Sequence, residues 1–346
     1  MISRWPLIAS ALFGSAALLV VTPAAAQPKS VEDFYRGQTV RIVVASGPSG
    51  GFDTFARLLA RHLSRFVPGN PTFVVQNMPG AGGLRAAGYI AKVAAPDGLS
   101  LGAVQGGMIR APLMGLTGAD YDSTKMHWIG NLNSEVHTCV AWHTAGITTI
   151  QQAMEKELIV GASAGADSET APQAFNSFVG TKFKIIPGYQ DGPRILLAMQ
   201  RSEVQGRCGW SWSSVVSQHP EWYRDKTIHV LMQWPSKHAD LANTPLAQDL
   251  AKEDDDKRAI VFLFGHLAVS RSYVLPPGVP AERLAALRAG FDAMVKDDAV
   301  KADFVKSHHE LAPMSGADVN ALVDRVYATP KHVIAKALKA IGTAKR

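Results

Sequence analysis

Residues 161–165 read Gly-Ala-Ser-Ala-Gly, a G-x-S-x-G pattern. In a hydrolase this spacing puts a nucleophilic serine, here Ser163, on a tight strand-to-helix turn. The flanks suit such a turn, with apolar "LIV" before it and a helix-forming segment after it. The hydrolase order is serine, acid, histidine, and Asp240, Asp249 and His266 permit it. Many chains of 346 residues would permit it too, and no HGGG-like oxyanion segment precedes Ser163. A second chemistry needs no partners. A helix start exposes N–H groups without intrahelical acceptors. Its peptide dipoles add about half a positive charge. Glycine and alanine let a ligand come close to the backbone. Such a turn can hold a carboxylate with no cationic side chain. The chain offers no convincing acid–histidine set, so binding is the better account of Ser163.

The same grammar occurs earlier. "VRIVVASGPSGGFDTFARLLA" is again an apolar strand, a small-residue loop and a helix. In an open α/β sheet, ligands sit beyond the carboxyl ends of the strands. Two such cradles about a hundred residues apart suit two lobes that close on one ligand. Rival motifs fail on detail. "GPSGGFDT" lacks the lysine of a P-loop. "GAGGLR" places Arg85 where a dinucleotide fingerprint needs its third glycine. No C-x-x-C or H-x-x-x-H spacing is present, so neither a metal nor a cofactor is expected.

The elements that must position these loops are legible as alternating strands and helices. Strands are expected near 40–45, 73–75, 99–104, 158–160, 184–186, 203–208 and 228–232. Helical spacing follows most of them, and after Pro276 to Pro280 the chain reads as helical to its end. This is an α/β layout. "AKEDDDKR", 251–258, reads as a solvated surface segment. The basic C-terminal stretch reads as a docked terminal helix whose cations suit the helix dipole.

Composition bounds the rest. Arg4, the apolar stretch Leu7 to Val21 and Ala24-Ala25-Ala26 form a secretory leader, 1–26, with no cysteine after the cleavage site. The apolar stretch is shorter than the roughly 20 residues that a span needs. A soluble, exported, periplasmic protein beginning near Gln27 is expected. The net charge of +6 is modest, and basic residues do not cluster with aromatics, so no nucleic-acid partner is expected. Cys139 and Cys208 are the two cysteines. In an oxidising compartment they suit one disulfide, and as buried free thiols they suit the core equally well.

Several stretches together carry a resemblance. They are "SGPSGGFDTFARLLARHL", "NPTFVVQNMPGAGGLRAAGYIAKVAAPDGLSLG", "VGASAGADSETAPQAF", "PGYQDGPRILLAMQRSEVQG" and "PPGVPAERLAALRAGFDAMVKDDAV". With them the chain resembles the periplasmic solute-binding receptors of tripartite tricarboxylate transporters, over essentially all of 27–346. The resemblance implies a two-lobe fold of the type II periplasmic-binding-protein kind. Each lobe would be a mainly parallel sheet flanked by helices, with a ligand cleft between the lobes. It implies lobe 1 at 27–135, lobe 2 at 136–225, and a return to lobe 1 with C-terminal helices over 226–346. It implies a monomeric receptor, not an enzyme, that delivers a small carboxylated organic solute to inner-membrane permease subunits. A secreted hydrolase using Ser163 and a ligand-presenting sensor protein are the alternatives.

Carried over by motif, the first-lobe loop is Gly47, Pro48, Ser49, Gly50, Gly51 and Asp53. Asp53 there suits backbone capping more than ligand charge. The second-lobe loop is Ser163, Ala164, Gly165, Asp167, Ser168 and Thr170, with Tyr189 and Asp191 on another cleft edge. Gln105, Gly106 and Asn133 fall at further strand ends and suit plain turns as well as ligand contact. Asp167 and Glu169 depart from a Gly- and Ser-rich loop. They suit a helix N-terminus, or a zwitterionic, hydroxyl-rich or cationic ligand. In "CGWSWSS", Trp210 and Trp212 would share one face of a strand. Trp210 suits core and ligand stacking equally, and Trp212 suits core.

Overall fold

The structure, a computed structural model, describes residues 1–2, 30–48, 51–307 and 309–342. The leader expected at 1–26 lies outside the described residues except for Met1 and Ile2, and Ser49 and Gly50 of the first-lobe loop lie outside them too.

Two sheets form. The first has the order β11-β4-β10-β3-β1-β2, where β1 is Thr39–Val44, β2 Thr72–Asn77, β3 Ser100–Val104, β4 His127–Asn131, β10 Ser272–Leu275 and β11 Met314–Ser315. The second has the order β7-β6-β8-β5-β9, where β5 is His137–Trp142, β6 Leu158–Gly161, β7 Phe183–Ile186, β8 Gly206–Ser211 and β9 Ile228–Trp234. Each sheet and its helices make one lobe.

The sheets are mixed rather than mainly parallel. β1 pairs in parallel with β2 and β3, and β6 in parallel with β7 and β8. β10 runs antiparallel to β3 and β4, and β5 antiparallel to β8 and β9. The parallel pairs come from strand–helix–strand units, which need a crossover. The antiparallel pairs all involve strands beside the two passages between lobes. The second passage comes later than expected, because β9 still belongs to the second sheet and lies beyond residue 225.

The passages are stitched to each other. Leu132 N–H donates to the Arg271 carbonyl (3.1 Å) and Glu135 N–H to that of Leu267 (2.9 Å). Arg271 N–H donates to Asn131 Oδ1 (2.8 Å), and Ser270 Oγ–H to the Asn133 carbonyl (3.0 Å). Asn131, Ser134 and Ser270 are tolerated in this joint because each meets the other passage's backbone.

Cys139 on β5 and Cys208 on β8 are disulfide-bonded across the second sheet. The acidic 251–258 segment is not simply solvated. It starts the helix Asp254–Phe264, and Asp256 there pairs with Lys336 of the C-terminal helix Lys331–Ala340. The terminal helix docks there through Val333 and Ala337.

Candidate ligand site between the lobes

A cavity of about 260 Å³ lies between the lobes. Gly51, Phe55, Asn133 and Arg271 line it on the first-lobe side, and Ser211, Ser213, Ser214 and Ser217 face them from the second. Gly51 opens the helix Gly51–Leu63 that follows the first-lobe loop. Arg271 lies against this helix, with its guanidinium over Phe52 (4.3 Å) and Phe55 (5.3 Å). The serines come from the end of β8 and the helix Trp212–Gln218, with Ser211 Oγ and Ser214 Oγ 2.7 Å apart.

A chain of charges runs behind the cavity. Arg271 Nη2–H donates to Glu135 Oε1 (2.8 Å). Glu135 Oε2 lies 3.4 Å from His137 Nε2, and His137 Nδ1 lies 3.2 Å from Asp167 Oδ2. Burial alone would lower the His137 pKa, but Asp167 and Glu135 outweigh it and raise it to about 9. Burial opposes ionisation of Asp167 too, yet His137 holds it down at about 2. Glu135 is likewise lowered, against its burial, by His137 and Arg271. His266 goes the other way, to about 3, through burial and the nearby Arg110 cation. At neutral pH the wall therefore carries fixed ion pairs.

The two sequence-defined loops end up in different settings. In the first lobe, Gly47 is half-buried, Pro48 exposed, and Gly51 reaches the cavity. Asp53 points inward, 2% exposed, and accepts from Arg57 Nε–H (2.8 Å) and Asn77 Nδ2–H (2.9 Å). Asn77 Nδ2–H also donates to the Ser46 carbonyl (3.0 Å), so Asp53 fixes the loop through side chains of its helix and β2. In the second lobe, two of the loop amides are already used. Ser163 N–H donates to Ser168 Oγ (3.0 Å) and Gly165 N–H to Glu169 Oε2 (2.6 Å). Thr170 Oγ1–H turns back to the Ala166 carbonyl (3.3 Å), Ala164 is exposed, and Asp167 is committed to His137.

The glycines of G-x-S-x-G have structural causes. A Cβ at Gly161 would lie 2.8 Å from Ile195 and 3.2 Å from the Tyr189 ring. Gly165 has φ +71°, a left-handed turn. Asp240, a sequence-permitted triad acid, accepts from Trp212 Nε1–H (3.1 Å) instead.

The remaining expected residues divide. Asn133 joins Gly51 in the cavity. Gly106 is pressed against the His266 carbonyl, where a Cβ could not fit, and Gln105 packs over Gly83. Asp191 caps the helix Gly192–Gln200 by accepting from Arg194 N–H (3.0 Å). Trp210 is core on one side, 4% exposed, and lines a second cavity on the other. Trp212 does not share its strand face, because β8 ends at Ser211 and Trp212 starts the next helix.

Sequence reasoning missed Glu135, His137, Arg207, Arg271 and the serines. The serines carried a signal: they recur at 211, 213, 214 and 217, around the junction of a strand with a helix. The charged residues are isolated in sequence and meet only through the fold.

Solved structures share this architecture. A TctC solute-binding protein from Polaromonas, without ligand, matches with a TM-score of 0.68 at 20% identity, over 87% of this chain and 99% of that one. MatC from Rhodopseudomonas palustris, with bound malate, matches at 0.56 and 19%, over 86% and 99%. A further R. palustris protein, Rpa4515 with adipate, matches at 0.55 and 20%, over 89% and 98%. This chain has the two-lobe periplasmic-binding-protein fold. No protein-family model and no curated protein matches its sequence. In a two-lobe binding fold the space between sheets is where both lobes can touch one solute, and the cavity described above occupies that place.

Proposed function

We propose that the protein is an extracytoplasmic solute-binding receptor. It captures one small carboxylated organic solute between its lobes and hands it, as a monomer, to the permease subunits of a tripartite tricarboxylate-type transporter. The observation that carries this reading is the cavity walled by Gly51, Asn133 and Arg271 from one lobe and by serine hydroxyls from the other. Neither wall alone surrounds a solute. Its volume, about 260 Å³, suits a small organic acid. Fold neighbours hold malate and adipate, which supports an acid as the cargo.

The chain's own groups define the steps. The helix start at Gly51 and the serine hydroxyls supply donors for carboxylate oxygens. The stitched passages let the lobes rotate as bodies while the joint keeps its hydrogen bonds. A solute that touches both walls favours the closed arrangement by its differential contacts. Export through the leader at 1–26 places the receptor outside the inner membrane.

Native mass spectrometry of gently purified protein, with scattering before and after solute addition, tests the proposal. A co-purified acid and a smaller radius on rebinding it are expected. Covalent, stoichiometric labelling of Ser163 by a serine-directed phosphonate, with ester turnover, would sink it in favour of a hydrolase.

A further inference from the structure

Arg207 on β8 is 7% exposed, and its charge meets no carboxylate among the described residues. One guanidinium N–H, from Nη1, donates to the Gly192 carbonyl (3.3 Å). The group lies over the Trp210 ring, 5.3 Å from its centroid. Its buried Nε has no partner. Burial pushes its pKa down to about 10, so it stays charged at neutral pH. A buried cation without a counter-charge is unfavourable, and a structural arginine is normally paired. Position 192 is built around it, since a Cβ there would lie 2.8 Å from Nη1. The start of the Gly192–Gln200 helix adds positive potential rather than relief. The acid of that turn, Asp191, is exposed and occupied with Arg194 N–H.

Arg207 lines a cavity of about 240 Å³ together with Gly192, Trp210, Ser211 and Ser214. Glu135, Ser211 and Ser214 also border the interlobe cavity, so the two spaces adjoin. The charges lining the Arg207 cavity do not balance. Arg207 and His137 are cationic and Glu135 is the one carboxylate there, while Glu310 lines only the interlobe cavity beside Arg271.

We propose that Arg207 marks an anion subsite in the second lobe. One carboxylate of the solute pairs with its guanidinium, and the rest of the solute passes the Ser211–Ser214 hydroxyls into the interlobe cavity. This rests on the receptor reading and adds to it: the second lobe recognises charge through a side chain, not through the amides of the 163–165 loop. Trp210 is then a positioning residue that holds the guanidinium plane.

The test titrates lactate, malate and adipate, and the neutral amide of whichever binds, into wild type, Arg207→Met and Arg207→Lys by calorimetry. Arg207→Met keeps the apolar stem over Trp210. At least one acid should bind wild type, and Arg207→Met should weaken it by about thirtyfold or more, the scale of a lost charge-assisted contact. Arg207→Lys should recover part of that loss. The amide should bind wild type no better than it binds Arg207→Met. Solute-free Arg207→Met should melt no lower than wild type, because it removes an unpaired buried charge. Binding by Arg207→Met within about threefold of wild type would overturn the subsite. So would an amide that binds wild type as well as its acid, a readout that needs no variant to fold. If no acid binds but a neutral solute co-purifies, the subsite falls and the receptor stands. If nothing co-purifies and none of the probes binds, the receptor reading falls and the subsite with it.

Discussion

The loops at 47–53 and 163–170 are both rich in small residues and take the same place in a strand–loop–helix unit, yet they face different things. The first delivers Gly51 to the interlobe cavity and keeps its carboxylate, Asp53, turned inward on Arg57 and Asn77. The second closes on itself, as Ser168 and Glu169 take the amides of Ser163 and Gly165. Its place on the cavity wall goes to the junction of β8 with the helix Trp212–Gln218, through Ser211, Ser213, Ser214 and Ser217. A small-residue turn before a helix therefore offers donors only when its own first helical residues do not claim them. Ser168 and Glu169 are strong capping residues, and they decide the matter locally.

The contrast can be broken at several points. Glu135 holds the joint that both loops lean on, so Glu135→Ala should have the largest effect. It leaves Arg271 and His137 without their shared carboxylate, and a loss of about 3 kcal/mol is expected in denaturant unfolding. A loss near zero would remove the charge chain from the stability of the joint. Asp53→Ala should cost about 2 kcal/mol, because it removes the buried acceptor that Asn77 Nδ2–H and Arg57 share and frees the loop. It should also weaken solute binding, and unchanged affinity would show that the first loop does not depend on Asp53.

The charged groups behind the cavity should respond to pH. The folded-state pKa of His137 lies above its usual 6.5, at about 9, so its stabilisation is complete below 6.5 and fades as pH rises through 9. That of His266 lies below 6.5, at about 3, so stability falls as pH drops from 6.5 toward 3. A stability maximum near pH 6.5 is expected, and His137→Gln should flatten the alkaline limb in thermal melts across pH. An unchanged alkaline limb would refute the His137 pairing.

Smaller effects should separate the loops. Gly165→Ala meets open space but must hold φ +71°, so it should cost about 1 kcal/mol and leave affinity within about twofold. A large affinity loss there would restore the second loop as a ligand contact. Ser163→Ala should change stability by less than about 0.5 kcal/mol, since the Ser163 backbone amide, not its hydroxyl, makes the bond to Ser168. Any esterase activity that vanishes in this variant would reverse the functional reading.

Much of the fold was legible because its parallel units announce themselves. β1, β2, β6 and β7 are short runs rich in β-branched residues, each bounded by a glycine or proline turn. The passage strands were harder. β4 and β5 carry His127, Asn131 and His137, and β10 pairs with β4 through a bulge, so neither apolar runs nor strict alternation mark them. Gly51 and Asn133 of the candidate site were reachable from motif and position. Arg207 was not, because nothing beside it in sequence says that its charge will be buried without a partner.

By itself the sequence determined the two α/β units, the turns between strand and helix, and the glycines those turns require, because these depend on neighbours within a few residues. The tertiary structure alone decided which turns face the cavity, where the chain passes between lobes, and which charges meet. Arg271 and Glu135 are far apart in the chain and 2.8 Å apart in space. Their pairing, and the unpaired charge of Arg207, follow from which strands share a sheet, a long-range choice that no local window of residues contains.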